Sequence, residues 1–235
     1  MNLKLLHTND FHGMLSGCKL ASLRNLRAEV DLYFDTGDAI QTGNLGLPLR
    51  SEGVWPLLAE LHCNASVMGN RESHILESAW RAKIAGATHP ILCGNMHDKS
   101  GNHPLPGSIT FTVNNLRVGV VGVMVPMVTN RMATRAASAF LWDAPIPTAV
   151  SLGATLRDSV DCLIALTHIG YTQDCALAEQ STLFDVILGG HSHTVLDSPT
   201  LVNKTWIAQG GSHGNFAGVY EWSVSLGLKG GLSRL

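Results

Sequence analysis

Short apolar runs rich in β-branched residues alternate with longer segments in which apolar residues recur every three or four positions. The short runs predict strands, and the longer segments predict helices. The predicted strands are 3–8, 31–35, 65–68, 91–94, 109–113, 117–124, 161–167, 185–189, 200–203, 206–209 and 217–226. The predicted helices are 19–29, 53–62, 73–86, 146–158 and 173–182. This alternation of strands and helices is typical of an α/β fold.

Two pairs of polar residues separate neighbouring strands in the middle and near the end of the sequence. Asn114-Asn115 and Asn203-Lys204 are two-residue turn signals between apolar runs, so each predicts an antiparallel hairpin. The sheets are therefore expected to be mixed rather than purely parallel. No internal repeat, low-complexity tract or Pro/Ser-rich linker divides the chain, and we expect residues 1–235 to form a single domain.

Composition places the chain among globular proteins and narrows its partners. Of its 235 residues, 45% are hydrophobic and 14% are charged, and the formal net charge of −2 provides no basic field for nucleic acid. No apolar stretch approaches the roughly 20 residues that a membrane-spanning helix needs. The sequence shows no secretion signal, and its five cysteines are scattered without a CxxC pair. We therefore expect a cytoplasmic protein without a disulfide framework and without a membrane partner.

Polar residues that can bind metal ions follow five of the predicted strands. They form the blocks 8–13, 35–38, 69–72, 167–170 and 189–193. Loops at the carboxyl ends of strands in an open α/β sheet converge on one crevice, which is where ligands bind. A lone histidine at such a position is usually a structural residue, and Asp-Thr-Gly-Asp or His-Ser-His alone would fit a turn or a solvated loop. The shared position of all five blocks favours a metal site.

The residue types in these blocks indicate the kind of metal. Carboxylate and amide oxygens combined with imidazoles suit Mn²⁺, Fe or Zn²⁺ better than Ca²⁺ or Mg²⁺. Asp10 and His12 can point toward one ion, while the turn at Gly37 lets Asp38 lie between two ions. Two adjacent divalent ions can clamp a phosphoryl group and supply a metal-bound hydroxide as the nucleophile. Two transition-metal ions are therefore expected, with Mn²⁺ preferred over Fe or Zn²⁺.

In order and spacing, the five blocks resemble the calcineurin-like metallophosphoesterase superfamily. Residues 6–13 resemble the catalytic domain of the 5'-nucleotidase and UDP-sugar hydrolase family, and the resemblance extends to the Gly-rich segment 210–215. It implies a four-layer α/β/β/α sandwich with two mixed sheets, the metallo-dependent phosphatase fold. It also implies a first metal ion held by Asp10, His12, Asp38 and His193. A second ion would be held by Asp38, Asn70, His168 and His191, with Asp38 bridging the two ions.

One departure from the family pattern bears on catalysis. The family's asparagine is normally followed by a histidine that assists the leaving group and, a few positions on, by an acidic residue; the matching positions here hold Arg71 and His74. Arginine stays protonated near neutral pH, so Arg71 can bind phosphoryl oxygens beside Asn70 but cannot act as a general acid. A surface salt bridge with Glu72 or a neighbouring residue is the alternative for Arg71. For His74, proton donation competes with a solvent-facing position in the first turn of a helix.

A second departure is length. The nucleotidase family normally carries a C-terminal domain that stacks the base between aromatic side chains, and this sequence ends where that domain would begin. The five tryptophans are expected to be core or rim residues rather than a base-binding clamp. His213, in segment 210–215, either belongs to a connecting turn or approaches the metals or a substrate phosphate.

Together these observations predict a dinuclear metal-dependent phosphoester hydrolase, either a phosphomonoesterase or a phosphodiesterase. Its substrate is expected to be a small phosphorylated metabolite, with a nucleotide as one candidate, and its oligomeric state stays open. The predicted catalytic residues are Arg71, Asp38 and His74. The alternative is a catalytically weak metal-binding protein or partner-regulated module, in which Arg71 has removed turnover. A nuclease would need a basic groove, which the net charge of −2 disfavours.

Overall fold

A computed structural model describes residues 2–235, which contain fourteen strands and five α-helices. The strands are β1 (Leu3–Thr8), β2 (Leu32–Asp35), β3 (Ala65–Val67), β4 (Ile91–Leu92), β5 (Met96–Asp98), β6 (Ser108–Val113), β7 (Leu116–Met124), β8 (Phe140–Trp142), β9 (Cys162–His168), β10 (Val186–Leu188), β11 (Thr200–Val202), β12 (Thr205–Ala208), β13 (Phe216–Ser223) and β14 (Gly227–Arg234). The helices are α1 (Cys18–Arg27), α2 (Val54–Glu60), α3 (Glu77–Ile84), α4 (Pro145–Leu156) and α5 (Tyr171–Gln180). Two short 3₁₀ turns are Ala133–Ala136 and Arg157–Ser159.

Two six-stranded mixed sheets form the framework of the protein. The first sheet has the order β14-β13-β1-β2-β3-β4, in which β1 to β4 run parallel and β13 pairs antiparallel with both β1 and β14. The second has the order β11-β12-β10-β9-β7-β6, with a parallel centre and an antiparallel strand at each edge. Strands β5 and β8 pair separately. The hairpins predicted at 114–115 and 203–204 join β6 to β7 and β11 to β12, which confirms both.

The two sheets pack face to face, and helices cover both outer faces. Because successive side chains of a strand point to opposite faces, Leu5 lies in the apolar cluster between the sheets while Leu6 packs under helices. Helices α1, α2 and α3 bury apolar side chains against the first sheet, and α4 and α5 do so against the second. The predicted four-layer α/β/β/α sandwich is therefore confirmed. The tryptophans lie in or beside these clusters, as expected: Trp55, Trp80, Trp142, Trp206 and Trp222.

Several elements differ from those predicted. The helix predicted from residue 73 begins at Glu77, because the carbonyls of Arg71 and Ser73 turn to accept hydrogen bonds from Lys83 Nζ. The strand predicted at 217–226 ends at Ser223 and is followed by β14, whose three glycines hide the alternation that marks a strand. Strands β5 and β8 were not predicted either; each has three residues, and they pair only with each other, outside the two large sheets.

The carboxyl ends of the central parallel strands meet at one edge of the sandwich. His168, the last residue of β9, donates a hydrogen bond through Nδ1 to the carbonyl of Thr36, at 2.6 Å. The backbone N–H of His191, after β10, donates to Asp10 Oδ2, after β1, at 2.9 Å. The loops that carry the five polar blocks therefore converge across the two sheets. Among residues 2–235, no helix combines the length and apolar character that crossing a membrane requires.

Candidate metal centre

The loops after β1, β2 and β10 bring two carboxylates and two imidazoles together. His193 Nε2 lies 3.3 Å from Asp10 Oδ1. His12 Nε2 lies 3.6 Å from the same oxygen and 3.4 Å from Asp38 Oδ2. Ligand atoms of Asp10, His12 and His193 all fall within 4.8 Å of one another, a spacing that a single metal ion can span.

A second group of ligand atoms lies on the other side of Asp38. His168 Nε2 is 3.4 Å from Asp38 Oδ1 and 3.1 Å from Asn70 Oδ1. His191 Nδ1 is 2.8 Å from the same amide oxygen. The two carboxylate oxygens of Asp38 thus face different groups, which is the arrangement a bridging ligand requires. Asp10 also has an oxygen within 4.8 Å of the ligand atoms of Asp38 and His168, so it reaches both groups.

Two unpartnered atoms show that this cluster fits a cation. Asp10 Oδ1 and His12 Nε2 are buried and have no hydrogen-bond partner within residues 2–235. Burying a carboxylate oxygen without a partner is costly, and a bound cation would remove that cost. The donor set of carboxylates, one amide oxygen and imidazoles suits a transition metal. The residues present therefore fit two divalent ions.

The carboxylates give the centre a negative potential. Burial raises the pKa of Asp10, but the contacts with His12, His168 and Asn9 and the hydrogen bond from the His191 N–H together outweigh burial, and the pKa falls to about 2. Burial lowers the pKa of His12, yet Asp10 and Asp38 together raise it to about 9. Asp10 is therefore ionised over the whole neutral range, and the pocket favours positively charged species.

Five of the predicted ligands have left-handed backbone conformations. Their φ angles lie between +51° and +76°, a region that residues with a Cβ atom rarely adopt. Each such residue costs on the order of 1 kcal/mol, so the surrounding structure must hold it. Backbone hydrogen bonds from Asp10 to Gly37 and from His12 to Asp38, both 2.9 Å, do so for the first loop. The five residues are Asp10, His12, Asp38, His191 and His193.

Glu72, which we did not predict as a functional residue, holds two of these loops together. Its buried carboxylate accepts hydrogen bonds from the backbone N–H groups of Gly69, Asp38, Ala39 and Ile40 at 2.8–3.2 Å. Gly69 permits this approach, since a Cβ there would lie 2.3 Å from the Asp38 backbone nitrogen. The only signal in the sequence was an acidic residue two positions after Asn70, which fits an exposed ion pair equally well.

The orientation of the Asn70 amide is set by residues far away in sequence. Its Nδ2 donates to Asn44 Oδ1 at 2.9 Å, which turns Oδ1 toward the imidazoles. Lys83 fixes the loop of Asn44, because its buried ammonium donates to the carbonyls of Gly43 and Asn44, as well as to those at 71 and 73. Sequence reasoning missed Asn44 and Lys83, since a lysine on a helix is normally solvent-exposed.

Gln209 organises the loop that carries the last two histidines. Its Oε1 accepts from Ser192 Oγ and from the Thr194 N–H, both at 2.7 Å, and its Nε2 donates to the Gly190 carbonyl at 2.9 Å. On β9, the neighbour of β10, His168 donates through Nδ1 to the Thr36 carbonyl, which leaves Nε2 free to face the centre. Gln209 follows β12 without any polar motif, so nothing in the sequence singled it out.

The structure separates the two residues that depart from the family pattern. Arg71 lies at the centre: its Nε is 3.8 Å from Asp38 Oδ2, and its Nη1 donates to the Gln41 carbonyl at 3.0 Å. Of the alternative, the pairing of Arg71 with Glu72 is wrong, because backbone amides occupy that carboxylate and Arg71 pairs with Asp38 instead. The solvent-facing helical position for His74 is also wrong. His74 is buried ahead of α3, and its Nδ1 accepts a hydrogen bond from the Leu76 N–H at 2.9 Å.

His213 joins the first ligand group rather than forming only a connecting turn. Its Nε2 lies 3.4 Å from His12 Nδ1, and the two ring centroids are 4.8 Å apart in an edge-on arrangement. The backbone N–H of His213 donates to the Asp10 carbonyl at 2.7 Å, and Lys19 Nζ donates to the backbone carbonyl of His213. The segment after β12 therefore packs directly on the loop that follows β1.

Comparison with known sequences agrees with this geometry. The calcineurin-like phosphoesterase family matches residues 3–195. The chain is 26% identical to the uncharacterized metallophosphoesterase YunD of Bacillus subtilis and 25% identical to the trifunctional nucleotide phosphoesterase protein YfkN of the same organism. These alignments cover 94% and 92% of this chain, but only 50% and 18% of the relatives. An apyrase of Aedes aegypti is 24% identical over 84% of this chain and 40% of its own length.

Solved structures share the fold. A 5'-nucleotidase precursor from Thermus thermophilus superposes with a TM-score of 0.81 at 21% identity, over 100% of this chain and 55% of that one. The calcineurin-like phosphoesterase YfkN from Bacillus subtilis gives a TM-score of 0.80 at 18% identity, over 99% of this chain and 90% of that one. The sandwich, the convergent loops and the sequence match lead to one conclusion: the chain belongs to the calcineurin-like phosphoesterase family of metal-dependent hydrolases.

Proposed function

We propose that this protein is a dinuclear metal-dependent phosphoester hydrolase acting on a small phosphorylated metabolite. The observation that carries the proposal is the position of Asp38, whose two oxygens face two adjacent groups of ligand atoms. Divalent cations held there would polarise phosphoryl oxygens and acidify a water molecule. Membership of a phosphoesterase family supports the same chemistry.

The ligand assignment follows the two groups. One ion would take Asp10, His12, Asp38 and His193, whose contacts centre on Asp10 Oδ1 and Asp38 Oδ2. The other would take Asp38, Asn70, His168 and His191, whose contacts centre on Asn70 Oδ1 and Asp38 Oδ1. Mn²⁺ remains the predicted ion for both positions, with Fe and Zn²⁺ as alternatives.

Arg71 is proposed to bind the phosphoryl group. Its guanidinium borders the centre, where Asp38 Oδ2 and the Gln41 carbonyl hold it and its remaining N–H groups can face phosphoryl oxygens. A permanently protonated group stabilises negative charge but donates no proton to a leaving alkoxide. Asn70 stays a predicted second contact to substrate.

His74 stays a predicted proton donor. Because Nδ1 accepts a hydrogen bond from the Leu76 N–H, the neutral ring carries its proton on Nε2. Any donation to a leaving group would therefore come from Nε2.

The relatives make nucleotides the first substrates to try. YfkN is named a nucleotide phosphoesterase, and other relatives are named apyrases. The fold does not rank monoesters against diesters, so we propose both ester classes for the test.

The first experiment measures metal content and turnover together. Protein purified without chelator should contain about two transition-metal ions per chain and hydrolyse 4-nitrophenyl phosphate, bis(4-nitrophenyl) phosphate or both when Mn²⁺ is added. Asp38→Ala should lose metal and activity, whereas Asp158→Ala, at an exposed position in a 3₁₀ turn, should lose neither. A wild-type protein that binds no metal in excess Mn²⁺ would contradict the proposal.

A second candidate function rests on Arg71. If this arginine has removed turnover, the protein is a weak metal-binding module, and Arg71→His should greatly raise hydrolysis of an alkyl phosphate, whose alkoxide is a poor leaving group. If Arg71 belongs to the mechanism, the same change should lower hydrolysis of the activated aryl ester by roughly tenfold or more. Measuring both esters with both proteins separates the two functions.

Three further expectations remain predictions: a cytoplasmic location, the absence of a nucleic-acid or membrane partner, and a single domain over residues 1–235. Elution volume and limited proteolysis of the purified chain test the last of these and the oligomeric state.

A further inference from the structure

A cavity of about 460 Å³ lies beside the metal centre, between the turn at Gly13 and the loop 41–54. The two sites share a boundary at Gln41, which lines the cavity while its carbonyl accepts the hydrogen bond from Arg71. Gly13 directly follows the predicted ligand His12. The volume falls within the range of ~300–1,000 Å³ typical of small-molecule sites. We call this cavity the Gln41 pocket.

Part of the lining of the Gln41 pocket is apolar. Its apolar lining residues are Leu15, Leu47, Pro48, Leu49 and Val54. Leu47 is 60% exposed and Leu49 is fully exposed, so the loop holds large apolar side chains in water next to the cavity. Covering them with an apolar ligand body would be favourable.

The charged residues of the pocket are not equally available. Glu52 is buried, and its two oxygens accept the backbone N–H groups of Gln41 and Thr42 at 3.0 and 3.2 Å, so this carboxylate serves to fold the loop. Arg50 lines the same cavity, and the arginine ion pairs found within residues 2–235 all involve other arginines. Over that part of the chain, the free cation of the pocket is therefore Arg50.

We propose that the Gln41 pocket binds the organic part of the phosphoester and selects esters whose apolar body carries a second anionic group facing Arg50. This inference rests on the proposed function, because it places the reacting phosphoryl group at Arg71 and the predicted ligands. From there the organic part extends across Gln41 into the pocket. The second anion is a carboxylate or a phosphate, since both offer acceptors to a guanidinium.

Paired aryl esters test the selectivity. With Mn²⁺ added, the wild-type protein should hydrolyse 4-carboxyphenyl phosphate with a higher kcat/KM than phenyl phosphate, and Arg50→Gln should lower this ratio roughly fivefold through KM. Arg117→Gln is the matched control. Arg117 lies near the start of β7, whereas the other end of that strand pairs with His168 at the metal centre, and Arg117 pairs with Asp161 at the surface. The same comparison with 1,4-phenylene bisphosphate in place of 4-carboxyphenyl phosphate shows which second anion the pocket prefers. The anion whose ester has the larger kcat/KM ratio to phenyl phosphate, and loses more of it in Arg50→Gln, is the preferred one.

Binding of the leaving group alone tests the pocket without turnover. Saturation-transfer NMR should detect 4-hydroxybenzoate on chelator-treated wild-type protein, and its dissociation constant should rise roughly fivefold in Arg50→Gln. If both esters are hydrolysed but the ratio is the same in wild type and Arg50→Gln, the inference is overturned and the proposed function stands. If neither ester is hydrolysed, the proposed function fails. In that case weaker binding of 4-hydroxybenzoate to Arg50→Gln than to wild type would still support an anion site at Arg50, and equal binding would rule it out.

Discussion

The ring of His213 gives the predicted ligand His12 a partner on its far side. A metal-binding histidine usually donates its second N–H to an acceptor that fixes the ring. His12 directs Nε2 at Asp10 and Asp38, so its Nδ1, 3.4 Å from His213 Nε2, is the atom left for this contact. Ser212 Oγ lies 2.8 Å from His213 Nδ1 and orients the second ring in turn. His213 is thus a positioning residue for the first ligand group.

Replacing His213 should therefore weaken metal binding. We expect His213→Ala to lower the affinity for Mn²⁺ about tenfold, while His213→Gln retains an acceptor for His12 and loses less. Competition against a fluorescent chelator measures both affinities, with His103→Ala, at an exposed loop position, as the control. Equal affinities in wild type and His213→Ala would show that the contact orients nothing.

At the scale of secondary structure elements, Asp174 ties helix α5 to the strands that carry the histidines. Its Oδ1 accepts from Thr167 Oγ1 of β9 at 2.6 Å, and its Oδ2 has no partner within residues 2–235. A Cβ at Gly189, just after β10, would lie 2.2 Å from that oxygen. Burial raises the pKa of Asp174 to about 7, because the hydrogen bond from Thr167 and the nearby His168 offset the loss of hydration only in part.

This raised pKa predicts a pH-dependent stability. The unfolded carboxyl has a pKa of about 3.9, so between pH 4 and 7 the unfolded state releases the proton first and the free energy of unfolding falls as pH rises. The loss is complete above pH 7 and amounts to at most on the order of 4 kcal/mol. Asp174→Asn lacks the titrating carboxyl, so its free energy of unfolding should rise relative to that of wild type as pH rises. Urea unfolding in chelator at pH 5 and pH 8 measures the difference.

The exposed Asp158→Asn variant is the control for this experiment and should follow wild type at both pH values. If Asp174→Asn keeps the same stability difference from wild type at pH 5 and pH 8, the buried carboxyl does not titrate in this range and the interpretation is wrong.

Elements with a regular apolar pattern were predictable, and those without one were not. Strands β1, β7 and β9 stand out because they pair inside the sheets and bury nearly every side chain. Strand β14 lacked such a pattern and is ordered by its pairing with β13. The start of α3 was misplaced because the carbonyls of Arg71 and Ser73 accept hydrogen bonds from Lys83 Nζ instead of from the backbone of a helix.

At the scale of the whole molecule, the metal centre joins the two sheets. Asp10 and Asp38 follow strands of the first sheet, while His168 and His191 belong to the second. Ions bound between them would hold both sheets in place and bind the folded state far better than the unfolded chain. Metal binding is therefore expected to be linked to global stability.

Mn²⁺ should accordingly stabilise the fold. A free concentration one hundred times the dissociation constant should raise the free energy of unfolding by about 2.7 kcal/mol per independent site. Urea titrations in chelator and in Mn²⁺ measure the rise, which Asp38→Ala should largely abolish. A wild-type protein whose unfolding midpoint ignores Mn²⁺ would contradict a centre that spans both sheets.

The sequence by itself determined the fold class, the hairpins at 114–115 and 203–204 and the places where polar blocks end strands. These are local properties, because a buried strand requires a run of apolar residues and each polar block consists of a few contiguous residues. Tertiary structure alone decided how the blocks meet and which residues hold them. Glu72, Lys83 and Gln209 act on backbone groups that are distant in sequence, and no spacing pattern records such a contact. Burial gives each of them its role, and burial is a property of the folded chain.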